Sequence, residues 1–183
     1  MTTEHNVAQI ALFTALIAAL GLIPQLTLAF GVPITAQSLG VMLCGTVLGA
    51  RRGFYAALLF VGLVAIGLPL LAGGRGGLGL FTSPTAGFLI GFPVAAFCTG
   101  YAMERMSGLA ITWAAMIASI IGGVLVLYAF GISGMALVLG RSLPEAALLV
   151  TAFIPGDVIK AVLAGLITAA LYRARPRSVM SRG

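Results

Sequence analysis

Charged side chains are missing from four long stretches of this chain, and this pattern limits what the chain can fold into. Residues 6–50, 53–74, 76–103 and 106–140 contain no Asp, Glu, Lys or Arg. A helix needs roughly 20 apolar residues to cross a bilayer, so each stretch can cross at least once. Soluble domains are about a quarter charged, whereas this chain is 61% hydrophobic and 8% charged. We therefore predict an all-α integral membrane protein.

Glycine and proline clusters divide the apolar sequence into six predicted transmembrane helices. The predicted spans are residues 7–23, 36–50, 53–68, 86–106, 109–130 and 155–172. Residues 72–85 read AGGRGGLGLFTSPT, which is too rich in glycine for a spanning helix and predicts a loop. Residues 131–144 are predicted to be a connection, either irregular or with a short helical piece, followed by a second short helix near the interface over residues 144–153. A chain of 183 residues suits one membrane domain, residues 1–183.

The basic residues are distributed unevenly between the two ends of the predicted bundle. Lys and Arg accumulate on the cytoplasmic side of membrane proteins. Only Arg75 and Arg141 fall on the other side. Both termini are therefore predicted to be cytoplasmic, and the Gly-rich loop faces outward. This topology accounts for the net charge of +6, so no nucleic-acid partner is expected. The arginines on the predicted cytoplasmic side are Arg51, Arg52, Arg105, Arg173, Arg175, Arg177 and Arg182.

An acid and a base stand three residues apart in the last apolar segment, FIPGDVIKAVLAG. Pro155 suits the first turn of a helix, where the helix dipole favours the carboxylate of Asp157. Lys160 lies on the same helix face as Asp157. Ionisable groups inside a membrane usually face the bundle interior and serve a function. Two interpretations stay open: an ion pair that locks the bundle, or a site for a ligand that presents N–H donors beside an oxygen acceptor.

Other polar residues on the outward side are candidates for the same site. Arg75 in GGRGG is either a solvated loop charge or a group that reaches an anion or closes a lid. Thr35 and Gln37 in PITAQ either cap the second span or contact the ligand. The GGRGG segment is not a phosphate-binding P-loop, because that motif needs a lysine and the chain has only Lys160.

Small residues recur along the first span at Ala11, Ala15 and Ala19. Small residues at a spacing of four let a second helix approach closely. The pattern therefore indicates either packing within the bundle or a docking surface for another membrane protein.

Three segments together resemble the BioY family, the biotin-binding substrate-capture (S) components of energy-coupling factor (ECF) transporters. They are GVPITAQSLGVMLCGTVLGARRG at residues 31–53, GLPLLAGGRGGLGLFTSPTAGFLIGFPVAAF at residues 67–97, and PGDVIKAVLAG at residues 155–165. The motifs P-I-T-A-Q, A-G-G-x-G-G-L and D-x-x-K occur in this order, and the resemblance extends over nearly the whole chain.

The resemblance implies a six-helix membrane bundle that holds biotin near its outer surface. Asp157 and Lys160 match the D-x-x-K residues that contact the head or tail of biotin, and Lys160 can meet either the ureido oxygen or the carboxylate. Phe88, which stands where the family often has Tyr, is expected to pack on the biotin ring, together with Leu80 and Phe81.

The resemblance also implies partners and a cellular location. Ala11, Ala15 and Ala19 match the small-residue motif that docks on a transmembrane coupling (T) protein. A pair of ABC ATPases would power uptake across the bacterial cytoplasmic (inner) membrane. No cofactor or metal is expected besides the ligand.

Three other functions were weighed against biotin capture. An S component for another vitamin would have the same architecture. A self-contained transporter could use Asp157 as a proton site, although such folds often contain two related halves. A membrane enzyme is disfavoured, because His5, two isolated cysteines and four acids form no catalytic constellation. We therefore expect a transport component that is not an enzyme.

Overall fold

The chain folds into a bundle of α-helices. The computed structural model describes residues 3–27 and 32–182. Strands β1 (Leu26–Thr27) and β2 (Pro33–Ile34) pair antiparallel between the first two helices. Apart from this short ribbon the fold is all-α, as predicted. The helices in the described residues are α1 (Thr3–Leu20), α2 (Gln37–Leu48), α3 (Ala50–Ala65), α4 (Ala86–Arg105), α5 (Ile111–Ile120), α6 (Leu127–Leu139), α7 (Leu143–Val150) and α8 (Ile154–Ala174).

A single residue, Gly49, separates α2 from α3. Its φ of 82° lies in the left-handed region that favours glycine. The sequence analysis placed Arg51 and Arg52 before the third span, whereas the structure places both in the first turn of α3. The helix begins early because Glu104 Oε1 accepts a hydrogen bond from the backbone N–H of Ala50 at 2.8 Å. A carboxylate at this end satisfies a backbone donor that lacks a partner within the helix.

The helix that follows α4 continues beyond residue 130, where the fifth span is predicted to end. Helices α5 and α6 join through a π-helical segment (Ile121–Val126) into one helical stretch, Ile111–Leu139. Gly131 and Gly134, which fall in the predicted connection, lie within α6 and allow close packing against α4. A Cβ atom added to Gly134 would lie 2.6 Å from Gly87 Cα, and one added to Gly131 would collide with the Phe88 ring.

The π-helical segment also packs closely against its neighbours. A Cβ atom on Gly123 would lie 2.5 Å from Met42 Cγ, and one on Gly122 would lie 2.5 Å from the backbone nitrogen of Thr99. The paired glycines therefore let this helix approach α2 and α4 at the point where its hydrogen-bonding pattern changes.

The last helical stretch runs from Leu143 to Ala174. It comprises α7, a 3₁₀ turn at residues 151–153, and α8. The side chain of Glu145 accepts a hydrogen bond from the backbone N–H of Ser142 at 2.9 Å, which caps α7. Pro155 and Asp157 lie in the first turn of α8, as the sequence predicts.

Length, hydropathy and exposure together indicate a membrane protein. Among the described residues three helical stretches are long and apolar enough to cross a bilayer: Ala86–Arg105, Ile111–Leu139 and Leu143–Ala174. Glu4–Leu20 and Gln37–Leu48 are shorter apolar helices. Large apolar side chains also cover the exterior, and soluble monomers rarely expose extended patches of this kind.

Candidate functional site

A cavity lies beside the Gly-rich loop (residues 72–85), where β2 and the first turns of α2, α4, α6 and α8 meet. It contains about 630 Å³ of empty space, a volume that includes its open mouth. Its lining is mainly aliphatic and aromatic. The lining residues are Val32, Pro33, Ile34, Thr35, Gln37, Ser38, Leu71, Arg75, Thr85, Phe88, Leu89, Phe92, Leu127, Tyr128, Phe153, Asp157 and Lys160.

All six residues that the sequence analysis proposed as ligand contacts line this one cavity. They come from four separate parts of the chain, so the fold brings them together. Their contact with a ligand stays a prediction. Leu80 and Phe81 pack in the main hydrophobic core rather than line the cavity. The six residues are Asp157, Lys160, Arg75, Phe88, Thr35 and Gln37.

Asp157 and Lys160 form an ion pair at the wall of the cavity. Lys160 Nζ lies 2.8 Å from Asp157 Oδ1, and both residues face the same space one turn apart on α8. Asp157 is 5% exposed. A buried charge is costly unless it is paired and hydrogen-bonded, so the pair stabilises each of its members at this depth.

Ser38 and Tyr128 complete the cluster, and sequence reasoning missed both. Ser38 Oγ donates to Asp157 Oδ1 at 3.2 Å and accepts from Lys160 Nζ at 2.9 Å. The Tyr128 hydroxyl donates to Asp157 Oδ2 at 2.7 Å. One sequence signal could have revealed Tyr128: it is a polar ring inside the charge-free residues 106–140, whereas the other three tyrosines lie at the arginine-rich end.

The cluster retains hydrogen-bonding capacity for a ligand. A carboxylate has about four lone-pair sites, and the described side chains use three of those on Asp157. An ammonium group has three donors, and Lys160 directs two of them to Ser38 and Asp157. The site can therefore accept one further hydrogen bond at Asp157 and donate one from Lys160.

Aromatic rings form another part of the cavity wall. Phe88 meets Tyr128 edge-on with ring centroids 6.5 Å apart and Phe153 with centroids 5.9 Å apart. Edge-to-face pairs are a favoured aromatic geometry. Since Gly131 lacks a side chain, the Phe88 ring lies directly on α6. The cavity thus has one polar corner and an apolar, aromatic remainder.

The amide of Gln37 connects α2 to neighbouring backbone. Its Nε2 donates to the carbonyl oxygens of Ile17 at 3.2 Å and Leu70 at 3.0 Å. Its Oε1 accepts from the N–H of Ala72 at 3.1 Å. Gln37 therefore fixes the start of the Gly-rich loop against α1. Thr35 Oγ1 accepts a hydrogen bond from the backbone N–H of Gln37 at 3.3 Å, which closes a local turn before α2.

Arg75 is half-buried at the mouth of the cavity. Its Nε donates to the carbonyl oxygen of Ala72 at 3.2 Å. Gly73 and Gly74, with φ of 79° and 68°, form the turn that presents it. Partial burial lowers the pKa of Arg75 from its ordinary value, but arginine stays protonated in proteins. The mouth therefore carries a positive charge.

The alanines of α1 do not line this cavity and lie on an open surface. Ala11, Ala15 and Ala19 are all exposed, whereas Thr14 and Ile17 on the other face of the helix are buried. Packing within this chain therefore does not account for the alanine pattern. Its role in docking stays a prediction.

Comparison with known proteins identifies the BioY family over nearly the full length of this chain. The BioY family model matches residues 1–177. The biotin transporter BioY of Rhodobacter capsulatus is 51% identical, with 98% of this chain and 100% of the relative aligned. The biotin transporter BioY of Rhizobium etli is 56% identical, with 91% of this chain and 92% of the relative aligned.

A solved structure has the same fold. It is the 2.1 Å crystal structure of the S-component for biotin from an ECF-type ABC transporter, which superposes with a TM-score of 0.87 at 30% identity. The superposition covers 94% of this chain and 95% of the other. By sequence and by fold, this chain belongs to the BioY family.

Proposed function

We propose that this chain is the S component of an ECF-type importer and binds biotin in the cavity beside the Gly-rich loop. The observation that carries the proposal is the buried cluster of Asp157, Lys160, Ser38 and Tyr128 in an otherwise apolar cavity. Relatives more than half identical to the chain are biotin transporters.

The chemistry of biotin complements the cavity. Biotin presents two ureido N–H donors, a ureido carbonyl, an apolar fused ring and a carboxylate tail. Asp157 accepts from one ureido N–H with its remaining lone pair. Lys160 donates its remaining hydrogen to an oxygen of the ligand, and the aromatic wall around Phe88 packs against the ring. A ligand with an adjacent donor and acceptor thereby satisfies both members of the ion pair.

The other candidate residues have supporting roles. Arg75 at the mouth attracts the anionic ligand and contacts its carboxylate. Gln37 acts mainly by holding the loop, because all three hydrogen bonds of its side-chain amide are to backbone groups. Thr35 shapes the turn that leads into α2.

The chain crosses the bacterial cytoplasmic membrane six times with both termini inside. The six spans are α1, α2, α3, α4, the stretch Ile111–Leu139 and α8. Arginines at one end and the cavity at the other support this orientation, because basic residues favour the cytoplasmic side. Partners are a T protein, which docks on the alanine face of α1, and a pair of ABC ATPases that supply the energy.

Biotin binding to the purified chain tests the proposal. The sample is first checked by mass spectrometry for retained ligand and then titrated with biotin in a calorimeter. We expect one-to-one binding that weakens at least tenfold in Asp157→Asn and in Lys160→Ala, since losing one partner of a buried charged hydrogen bond costs about 2–5 kcal/mol. Circular dichroism checks that both variants are folded.

Two outcomes would contradict the proposal. Unchanged biotin affinity in both variants would show that biotin does not bind at this cluster. If the folded, ligand-free chain binds another vitamin and not biotin, the chain is an S component of the same architecture with a different substrate. Uptake into liposomes by this chain alone, driven by a proton gradient without ATPases, would instead indicate a self-contained transporter.

A further inference from the structure

A second groove lies at the arginine-rich end, between the first turn of α3 and the last turns of α4. It contains about 1040 Å³ of empty space including its opening. Arg51, Arg52 and Glu104 line it together with the rings of Tyr55 and Tyr101. This groove is distinct from the cavity beside the Gly-rich loop, with which it shares no residue.

Positive charge dominates this groove. Arg51 is exposed, and within the described part of the chain Arg52 forms its side-chain hydrogen bond through Nε, which donates to Asn6 Oδ1 at 2.9 Å. The guanidinium of Arg105 lies 4.7 Å from the Tyr101 ring centroid. Among the residues that line the groove, Arg51 and Arg52 are the cations and Glu104, whose Oε1 accepts from the N–H of Ala50, is the acid. The groove therefore has a net positive charge and planar donors that suit a phosphate group.

The charged groove continues into an apolar one. A neighbouring groove of about 670 Å³ shares Arg51, Tyr55 and Phe97 with the first and adds Phe54 and Val94. Phe97 stacks on Tyr101 with ring planes 9° apart, which forms a flat aromatic floor between the two parts. An elongated ligand can thus place an anionic group on the arginines and a hydrocarbon chain against α3 and α4.

We propose that this composite groove binds an anionic glycerophospholipid, with its phosphate at Arg51 and Arg52 and one acyl chain along Phe97 and Val94. The groove lies where the proposed membrane orientation puts the cytoplasmic leaflet, whose anionic lipids attract basic residues near the surface. A free phosphate would leave the apolar part uncovered. The combination of arginine donors with an adjoining aromatic and aliphatic groove therefore favours a lipid.

Native mass spectrometry of the detergent-solubilised chain tests this site. The chain is titrated with dioctanoyl phosphatidylglycerol, with dioctanoyl phosphatidylcholine and with glycerol phosphate, and the fraction carrying each molecule gives its dissociation constant. Each basic residue near an anionic lipid surface contributes about a fivefold factor in affinity. We expect phosphatidylglycerol to bind about tenfold or more tightly than the other two probes.

Matched variants localise the effect. Arg51→Gln combined with Arg52→Gln is expected to weaken phosphatidylglycerol binding about 25-fold. Arg173→Gln combined with Arg175→Gln removes the same charge from the exposed end of α8 and is expected to leave binding within about twofold. If the double variant in α3 fails to fold, Arg51→Gln alone, at an exposed position, is expected to weaken binding about fivefold.

Four results would overturn the proposal. They are equal binding of phosphatidylglycerol and phosphatidylcholine, equal losses in the two double variants, glycerol phosphate binding as tightly as the lipid, and phosphatidylglycerol binding that is unchanged in the α3 variants. If this last result came with loss of a co-purifying protein, it would identify the groove as a protein interface.

Discussion

The carboxylate of Asp157 accepts hydrogen bonds from side chains on three helices. Ser38 belongs to α2, Tyr128 to α6 and Lys160 to α8, and all three donors lie within 3.2 Å of an Asp157 oxygen. The carboxylate and ammonium are therefore held in fixed positions by groups that they also satisfy. A ligand that meets them needs little rearrangement of the protein, and such preorganisation favours tight binding.

Tyr128→Phe removes one donor from this arrangement while keeping the ring. The variant leaves Asp157 Oδ2 without its hydroxyl partner, and hydrogen bonds to charged groups contribute about 1.5–3 kcal/mol. We expect biotin affinity to fall about tenfold or more, measured by calorimetric titration. Tyr55→Phe, which alters a tyrosine that is 55% exposed, is the matched control. Equal effects in the two variants would show that Tyr128 has no special role at the site.

Local sequence patterns reveal only part of this cluster. Asp157 and Lys160 were predictable because a charged pair inside an apolar segment is unusual and a spacing of three puts both on one face. Ser38 was not predictable, since serine is common in membrane helices and its partner Asp157 lies 119 residues away. Which distant helices meet is decided by tertiary packing, and helix periodicity carries no information about it.

Helix α6 shows that the same residue type can end a helix or bring two helices together. Gly131 and Gly134 lie in a segment that was predicted to be a connection, and glycine weakens helices in water. Here the missing side chains allow the backbone of α6 to contact α4 at Gly87, and small residues at such interfaces stabilise membrane bundles. The start of α8 near Pro155 was easier to predict, because proline suits the first turn of a helix.

Gly134→Ala is expected to destabilise the bundle. The new methyl group would lie 2.6 Å from Gly87 Cα, and overpacking of this kind typically costs about 1–3 kcal/mol. Gly62→Ala is the matched control, because nothing lies within 4 Å of its added Cβ atom on α3. Thermal unfolding in detergent should show a lower midpoint for Gly134→Ala and an unchanged or higher one for Gly62→Ala. The reverse order would contradict the close contact of α4 and α6.

The open alanine face of α1 leads to a different kind of prediction. Ala15→Leu adds bulk at the centre of this face without entering the bundle, because Ala15 is exposed. We expect co-purification of the T protein to fall while biotin affinity stays unchanged. Ala170→Leu makes the same change at an exposed position of α8 and should preserve the complex. If Ala15→Leu gives a normal yield of the complex with the T protein, the alanine face of α1 is not part of the interface.

The molecule as a whole is polarised along the bundle. The ligand cavity, with Arg75 at its mouth, is separated from the groove that contains Arg51 and Arg52. Trp113 and Tyr55 are 64% and 55% exposed, and exposed Trp and Tyr rings favour the boundary between lipid and water. The distribution of arginines predicts that the end of the bundle with Arg51 and Arg52 faces the cytoplasm and that the end with the cavity faces outward.

Cysteine accessibility tests the orientation. In a background of Cys44→Ala and Cys98→Ala, Gly79→Cys marks the Gly-rich loop and Ser107→Cys marks the loop after α4, both at exposed positions. A maleimide that cannot cross membranes should label Gly79→Cys in intact cells, and Ser107→Cys only after lysis. Labelling in the opposite order would reverse the proposed topology.

The π-helical segment at Ile121–Val126 changes the rotational phase of a long helix partway along its length. One residue advances an α-helix by about 100°, so the extra residue in a π turn rotates everything after it relative to everything before it. Gly123 can thereby face Met42 while Tyr128 faces Asp157. A one-residue deletion here would therefore turn the tyrosine away from the ligand cavity, although it would remove no side chain that lines the cavity.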